Sequence, residues 1–317
     1  HERRAPMGST VLFVLDGNIV ELDFSRYTGL SPTTTVLNFL RSLPTHKGTK
    51  EGCAEGDCGA CTVVLGELGA GGKVNYRSVD SCLVFLPMIH GKQLVTVENL
   101  KSNNGELHPV QGAMVETNGS QCGYCTPGII MSMFSLYKNR DHPTRAEIDD
   151  ALTGNLCRCT GYKPIVEAAA HSCVMGGSDQ FTEHESHVVF LLKSISPGPL
   201  SLKTPRQQYF RPVTLEQALS LKHDHPNAAV ICGATDIALR VTKNHELIPL
   251  AIDLSGVDEL KDVVDDGNEL QVGAGVTLSD LMPRLADGFV ALRDMLAVFG
   301  SQQIRNLATL GGTLGTA

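Results

Sequence analysis

The chain has no tryptophan, and aromatics make up only 5% of its 317 residues, a scarcity that carries no functional weight by itself. Other absences exclude more. The net charge is −8 and no lysine- or arginine-rich run interrupts it, which argues against a nucleic-acid partner. No apolar stretch approaches the ~20 residues of a membrane span. Arg3-Arg4 is not followed by the apolar region of a twin-arginine signal, so His1 to Pro6 are expected to precede a natural start at Met7. The G-x-G-x-x-G fingerprint is missing, and a Rossmann dinucleotide fold is therefore not supported. At roughly 150 residues per domain, the length predicts two or three units, each large enough for its own core. A reducing cytoplasm is the expected compartment.

Cysteine is what the chain does have: ten, eight of which fall into two compact sets. The first reads Cys53-Ala-Glu-Gly-Asp-Cys58-Gly-Ala-Cys61, with Cys82 a strand-length later. The second reads Cys122-Gly-Tyr-Cys125, then after a helical stretch Cys157-Arg-Cys159. Four thiolates hold one [2Fe–2S] cluster, and the C-x₄-C-x₂-C…C order of the first set is the plant-type ferredoxin spacing. Structural zinc also takes four cysteines, but a zinc ribbon pairs two C-x₂-C knuckles, and neither set does. Gly52, Gly56 and Gly59 thread the first loop, where backbone without side chains can wrap an inorganic core and aim N–H groups at sulfide. Spacing favours iron–sulfur in the first set and leaves iron–sulfur and zinc both open in the second. Disulfides would need an oxidising compartment, for which no secretory signal speaks. Cys173 reads as a buried core thiol and Cys232 as a buried strand residue.

Hydrophobic periodicity divides the chain. From Val11 to about Leu100 it is strand-rich: a strand at Val11 to Leu15, a tight turn at Asp16-Gly17, a returning strand at Ile19 to Leu22, and a helix from Thr34 to Leu43. Thr62 to Leu65 and segments around Tyr76 to Phe85 and Gln93 to Val97 follow as strands, with Cys82 expected on the later strand facing the cysteine loop. That is the element order of a β-grasp ferredoxin. From about His108 to Cys173 the period is helical, with starts at Pro109, Thr126-Pro127, the capping box Thr144-Arg-Ala-Glu147 and Pro164. The four short helices then place Cys122 and Cys125 at the start of one helix and Cys157 and Cys159 in the turn between two others. Gly176 to Pro205 is rich in Gly, Ser, His and Pro and reads as a linker, which also accounts for His184 and His187 without a metal. An α/β region begins near Phe210, with a helix from Thr214 to Leu221. Its Val230-Ile-Cys-Gly-Ala-Thr-Asp-Ile237 and Thr309-Leu-Gly-Gly-Thr313 are glycine turns of the kind that present free backbone N–H groups to phosphate, though such glycines are often structural.

The runs Lys50 to Cys61, Gly119 to Gly128 and Gly154 to Tyr162 together resemble the molybdenum hydroxylases, and within them the small, iron–sulfur plus FAD, subunit of bacterial xanthine dehydrogenase. The resemblance covers Val11 to Ala317. It implies an α+β multidomain chain: a β-grasp [2Fe–2S] domain over 7–100, an all-helical four-helix [2Fe–2S] domain over 104–175, a linker over 176–205, and an α/β FAD domain over 206–317. It implies two clusters, on Cys53, Cys58, Cys61 and Cys82 and on Cys122, Cys125, Cys157 and Cys159. FAD would be held by Val230, Ile231, Cys232, Gly233, Ala234, Thr235, Asp236 and Ile237 and by Thr309, Leu310, Gly311, Gly312 and Thr313, with Phe299 beside the flavin ring. Gln121 would lie near the pterin of a molybdenum cofactor carried by a partner chain, the large subunit, in a heterotetramer. Electrons from hypoxanthine or xanthine oxidation to urate would pass from molybdenum through the helical-domain cluster and the ferredoxin-type cluster to FAD and NAD⁺. The same architecture also serves aldehyde, carbon monoxide or N-heterocycle substrates, and a zinc scaffold is the reading of another class. Ala238 stands where the family often has glycine. The family's FAD domain continues past its Thr-Leu-Gly-Gly-Thr-like turn, so the sequence is expected to be a truncated piece, inactive on purines alone.

Overall fold

The computed structural model describes residues 7–317 apart from 27, 28, 70, 103, 176, 177, 286 and 287, so the expectation for His1 to Pro6 lies outside the described residues. The first unit opens on a hairpin, β1 (Val11–Leu15) and β2 (Asn18–Leu22), closed by Asp16 and Gly17 at φ 52° and 72°. Positive φ at both central positions matches the right-handed twist of the strands it joins. Helix α1 (Val36–Ser42) is capped by Thr35, which accepts from Asn38 N–H, and it buries Val36, Leu37, Phe39 and Leu40. Strands β3 (Thr62–Leu68), β4 (Val74–Asp80) and β5 (Gln93–Val95) complete a mixed sheet ordered β2-β1-β5-β3-β4, with β5 parallel to β1. Cys82 is not on a strand. The chain turns at the end of β4, where Leu83 N–H bonds Asp80 C=O, and this carries Cys82 back toward the cysteine loop.

The helical unit follows as α2 (Pro109–Glu116), α3 (Thr126–Asn139), α4 (Arg145–Leu152) and α5 (Lys163–Met175). Both arms of the Thr144/Glu147 capping box form at α4. The segment expected to be a linker instead carries two helices, α6 (Gln180–Glu183) and α7 (Glu185–Ser194). Phe181, Val188, Leu192 and Ile195 are buried in the same core as Val64, Tyr76 and Phe134. Burying such side chains contributes about 1.5–3 kcal/mol each, enough to hold two short helices with weak local propensity. Asp179 caps α6 and accepts from Lys138 Nζ and His108 Nε2 at 2.9 and 3.0 Å. Burial opposes its ionisation, but bonds from His108, Lys138 and Thr182 outweigh that and hold the carboxyl below the usual range. His184 takes part in helix capping, with Nδ1 2.9 Å from Gln180 C=O.

The third unit starts inside the expected linker, at β6 (Leu200–Lys203), because Leu200 and Leu202 pair with β7 (Gln208–Arg211) and are buried. Helix α8 (Leu215–Asp224), strand β8 (Ala229–Ile231), helix α9 (Ile237–Thr242) and strand β9 (Leu250–Asp253) build a sheet ordered β6-β7-β9-β8. A small ribbon, β10 (Val263–Asp265) and β11 (Leu270–Val272), and helices α10 (Leu278–Leu281), α11 (Val290–Ala297), α12 (Gln302–Arg305) and α13 (Leu310–Gly315) complete it. Leu202, Tyr209 and Ile231 share a core with Phe13, Leu37 and Phe85 of the first unit. Arg77 of β4 also grips Asp280 of α10 with two bonds, at 2.9 and 2.6 Å. Among the described residues no helix is long and apolar enough to cross a membrane.

Candidate functional site

In the first cysteine loop, Cys53 Sγ accepts from the backbone N–H groups of Glu55, Asp57 and Cys58 at 3.3–3.4 Å, and Cys58 Sγ from Cys53 N–H at 3.4 Å. Ala54, Gly56 and Gly59 at φ 57°, 84° and 67° give the loop the left-handed bends that turn these N–H groups inward. Burial opposes ionisation of Cys53, but the N–H donors outweigh it and lower that thiol's pKa; burial raises that of Cys58. Cys61 Sγ lies 3.4 Å from Cys82 Sγ, and this contact followed by burial pushes Cys61 well up. Asp80, completely buried, sits 3.6 Å from Cys61 Sγ, and burial raises its carboxyl to about 7.

The second set is built from helix ends. Cys125 caps α3, Cys122 precedes it, and Cys157 and Cys159 lie between α4 and α5. Cys125 interacts with Cys157, and Cys159 with Cys122. Burial, then the Cys157 contact, raises Cys125 to about 12. Cys157 Sγ accepts from Thr160 Oγ1 at 3.2 Å, and its N–H donates to Tyr162 Oη at 2.9 Å. Cys122, Cys159 and Gln121 face solvent.

Both sets thus resolve into two pairs of thiols, Cys53/Cys58 with Cys61/Cys82 and Cys125/Cys157 with Cys122/Cys159. Among the described residues, no three His, Cys, Asp or Glu side chains gather as one metal ion requires. Tetrahedral zinc draws four ligands to one point, whereas the two irons of a [2Fe–2S] group share its four ligands between them. The donor chemistry and the pairing fit the two-iron group in each set.

The two loops meet directly. Leu156 N–H donates to Cys58 C=O at 3.0 Å. Beside this bond, buried Asn155 donates to Gly59 C=O and Thr62 Oγ1 at 3.1 and 3.2 Å, and accepts from Ser132 Oγ and Gln303 Nε2 at 2.6 and 2.9 Å. Gln303 belongs to α12, so one amide network joins all three units.

The glycine turns of the third unit face one another. Residues 230–237 line a cavity of about 260 Å³ together with Phe299, Thr309, Gly312 and Thr313. Leu310 and Gly311 turn away from it: Leu310 packs on the small core around Leu278, and Gly311 N–H bonds Ala274 C=O at 3.0 Å. A Cβ on Gly233 would stand 1.9 Å from Leu307 C=O, so glycine is what lets the two turns approach. Cys232 lies just past β8 rather than within it, and burial pushes its thiol to about 11. A larger cavity of about 560 Å³ lies across Cys232, Gly233 and Thr309, walled by the Lys92–Glu67 and Arg77–Asp280 pairs. The smaller one contains the turns and is the better candidate for a phosphate-bearing cofactor. Ile304 lines it and also touches the first cysteine loop, since a Cβ on Gly56 would lie 2.9 Å from Ile304 Cδ1.

Comparison with known proteins bears on these sites. Residues 96–170 match a [2Fe-2S] binding domain and residues 203–317 an FAD binding domain in molybdopterin dehydrogenase. A xanthine dehydrogenase of Drosophila pseudoobscura pseudoobscura is 34% identical over 91% of this chain and 25% of its own length. The chain is a molybdenum hydroxylase family member. A human aldehyde oxidase is 31% identical over 96% of this chain and 26% of its own. The aldehyde oxidoreductase of Desulfovibrio desulfuricans superposes with a TM-score of 0.44 at 32% identity, over 53% of this chain and 17% of that one. The chain therefore spans about a quarter of the length of the relatives it matches. Family membership accounts for the α+β multidomain architecture with [2Fe–2S]-binding and FAD-binding domains. It does not point to Asp80, Asn155 or Gln303, which the motifs also failed to single out. Asn155 alone had a local signal, two residues before Cys157 in a glycine-led turn.

Proposed function

We propose that this chain is the electron-relay and flavin-binding part of a xanthine-oxidising molybdenum hydroxylase, with one [2Fe–2S] cluster on Cys53, Cys58, Cys61 and Cys82 and a second on Cys122, Cys125, Cys157 and Cys159. The observation that carries the reading is the Leu156 N–H to Cys58 C=O bond, which joins the neighbour of one ligand to the backbone of another. A path from Cys157 to Cys58 is then covalent except for one hydrogen bond. On the far side of the same loop, Ile304 connects Gly56 to the flavin cleft. When bound, the clusters each carry one electron and FAD collects two for hydride transfer to NAD⁺. The protein's part is positional. Backbone N–H groups stabilise thiolate at Cys53, Asn155 fixes the spacing of the loops, and the turn at 230–237 presents amides to the pyrophosphate, with Phe299 at the flavin ring. Thr309, Gly312 and Thr313 line the other side of the cleft, where the N–H groups of residues 310–313 are already bonded within the protein.

Electrons enter at the second set. Cys122 and Cys159 are exposed there beside Tyr124, Leu156 and Tyr162, at 50%, 55% and 42% exposure, an apolar rim suited to a partner. The molybdenum-bearing large subunit docks on this face near Gln121, in a cytoplasmic heterotetramer of purine breakdown. Because an aldehyde oxidase matches almost as well, the same relay serving an aldehyde is the second reading. Xanthine-dependent NAD⁺ reduction should require the molybdenum chain, and should be absent from the 317-residue chain alone. Turnover by the purified chain would show the active site to be misplaced; reconstituted activity on aldehydes but not purines would select the second reading.

A further inference from the structure

The flavin unit reaches the first cysteine loop through a charge as well as through Ile304. Lys243, which caps the C-terminus of α9, donates from Nζ to Cys53 C=O at 3.1 Å and pairs with Glu55 Oε2 at 3.0 Å. Helix α9 begins at Ile237, the last residue of the flavin turn, so a single helix spans from the cleft to this contact. Three backbone N–H groups, all neutral dipoles, already donate to Cys53 Sγ. Lys243 adds a full positive charge one residue's backbone away from a ligand. We propose that Lys243 is a positioning residue that fixes the flavin unit on the first cysteine loop and raises the reduction potential of the cluster bound there. The proposal rests on the assignment of a [2Fe–2S] cluster to Cys53, Cys58, Cys61 and Cys82.

Reduction adds one negative charge to a cluster, and a nearby cation stabilises that product more than the oxidised form, which is why net charge and hydrogen bonding tune these centres. The negative groups facing Lys243 are Glu55, with which it pairs at 3.0 Å, the Cys53 thiolate and Asp57. The Lys243 side chain is 43% exposed, so the effect should weaken with salt.

The test is a redox titration of the 317-residue chain with both clusters in place, followed by the two paramagnetic signals. Lys243→Gln should lower the equilibrium constant for reducing the first cluster about tenfold at low ionic strength, or 59 mV for a one-electron couple. The second cluster should not move, and Lys243→Arg should restore the first. Glu55→Gln, which keeps the cation and deletes its counter-charge, should shift the first cluster the opposite way and serves if Lys243→Gln folds poorly. An unchanged first potential, a shift shared by both clusters, or failure of Lys243→Arg to restore it would overturn the proposal. A wild-type chain showing stoichiometric zinc and no such signals would instead overturn the cluster assignment beneath it.

Discussion

Asn155→Leu tests the joint between the two cysteine loops with a side chain of the same branching and heavy-atom count but no polar atoms. Asn155 makes four buried hydrogen bonds, to Gly59 C=O, Thr62 Oγ1, Ser132 Oγ and Gln303 Nε2. Each net bond contributes about 0.5–1.5 kcal/mol, and a buried group left without a partner costs about 1–3 kcal/mol. Not every partner is orphaned. Gly59 C=O still receives Thr62 Oγ1 at 2.7 Å, and Gln303 Nε2 still reaches Ser132 Oγ at 3.0 Å. The Ser132 hydroxyl alone loses its acceptor. A loss of about 2–3 kcal/mol is expected, or a fall in Tm of about 5 °C for a chain of this size. Differential scanning calorimetry gives the number, and spectroscopy of the reduced protein shows whether the loops still hold their metals. Because the leucine also weakens the setting of the Leu156 N–H bond, both clusters should become more labile to chelator. A Tm within 1 °C of wild type, with unchanged lability, would refute the view that this amide holds the loops together.

Three further outcomes follow from the geometry. Metal analysis should give about four irons and four labile sulfides per chain, and Cys58→Ser should disturb one of two reduced-state signals while Cys157→Ser disturbs the other; loss of both from either change would mean the ligands are misassigned. Gly233→Ala should weaken flavin binding at least about tenfold while leaving the cluster spectra intact, because its methyl would press on Leu307 C=O; fluorescence titration with FAD measures this, and unaltered affinity would remove Gly233 from the cleft. Asp179→Asn should cost about 3 kcal/mol or more by leaving Lys138 without its buried carboxylate partner. Since the folded pKa of Asp179 lies below its ordinary 3.8, the stability it gives is fully present above that value and lost as pH falls through and below it. Urea midpoints from pH 6 to about pH 3 should therefore decline more for wild type than for Asp179→Asn, and parallel curves would show that the carboxylate is not the acid-sensitive group.

How much of this was legible depended on how local the cause was. The Asp16-Gly17 turn, the Thr144 cap and the proline starts act within four residues, and each lies where the sequence indicates, whereas the helix expected from Thr34 starts only at Val36, behind a Thr35 cap. Helices α6 and α7 were missed because Phe181, Val188, Leu192 and Ile195 sit among glycine, serine, histidine and proline, whose composition masks the apolar spacing. Their helicity comes from tertiary burial against Tyr76 and Phe134, which no local window contains. Cys82 went to a turn rather than a strand because the apolar run Leu83 to Leu86 imitates a strand extension, while the Asp80–Leu83 bond bends the chain first. Asn155 and Gln303 are 148 residues apart in sequence, so their bond is invisible until the units are packed.

The glycines in the cysteine motifs illustrate the difference between a correct residue and a correct reason. Gly59 is expected to give room for backbone wrapped around an inorganic core. Its φ of 67° fits that role, but a Cβ there would stand 2.2 Å from Gly154 C=O, in the turn that leads to Cys157. A Cβ on Gly128, at the end of the Cys122/Cys125 run, would stand 2.1 Å from Gly59 C=O. Two of the motifs therefore lend a bare glycine, and the third the Gly154 carbonyl, to a contact where the backbone of all three comes together at Gly59. Any side chain at these positions would push the loops apart and lengthen the Leu156–Cys58 link. Gly52 is different: a Cβ there would lie 2.7 Å from Cys58 Sγ, so its bareness makes room for the thiol itself. The motifs, separated in sequence by helices and strands, are parts of one site, and the glycines between the cysteines set the distance between its two halves.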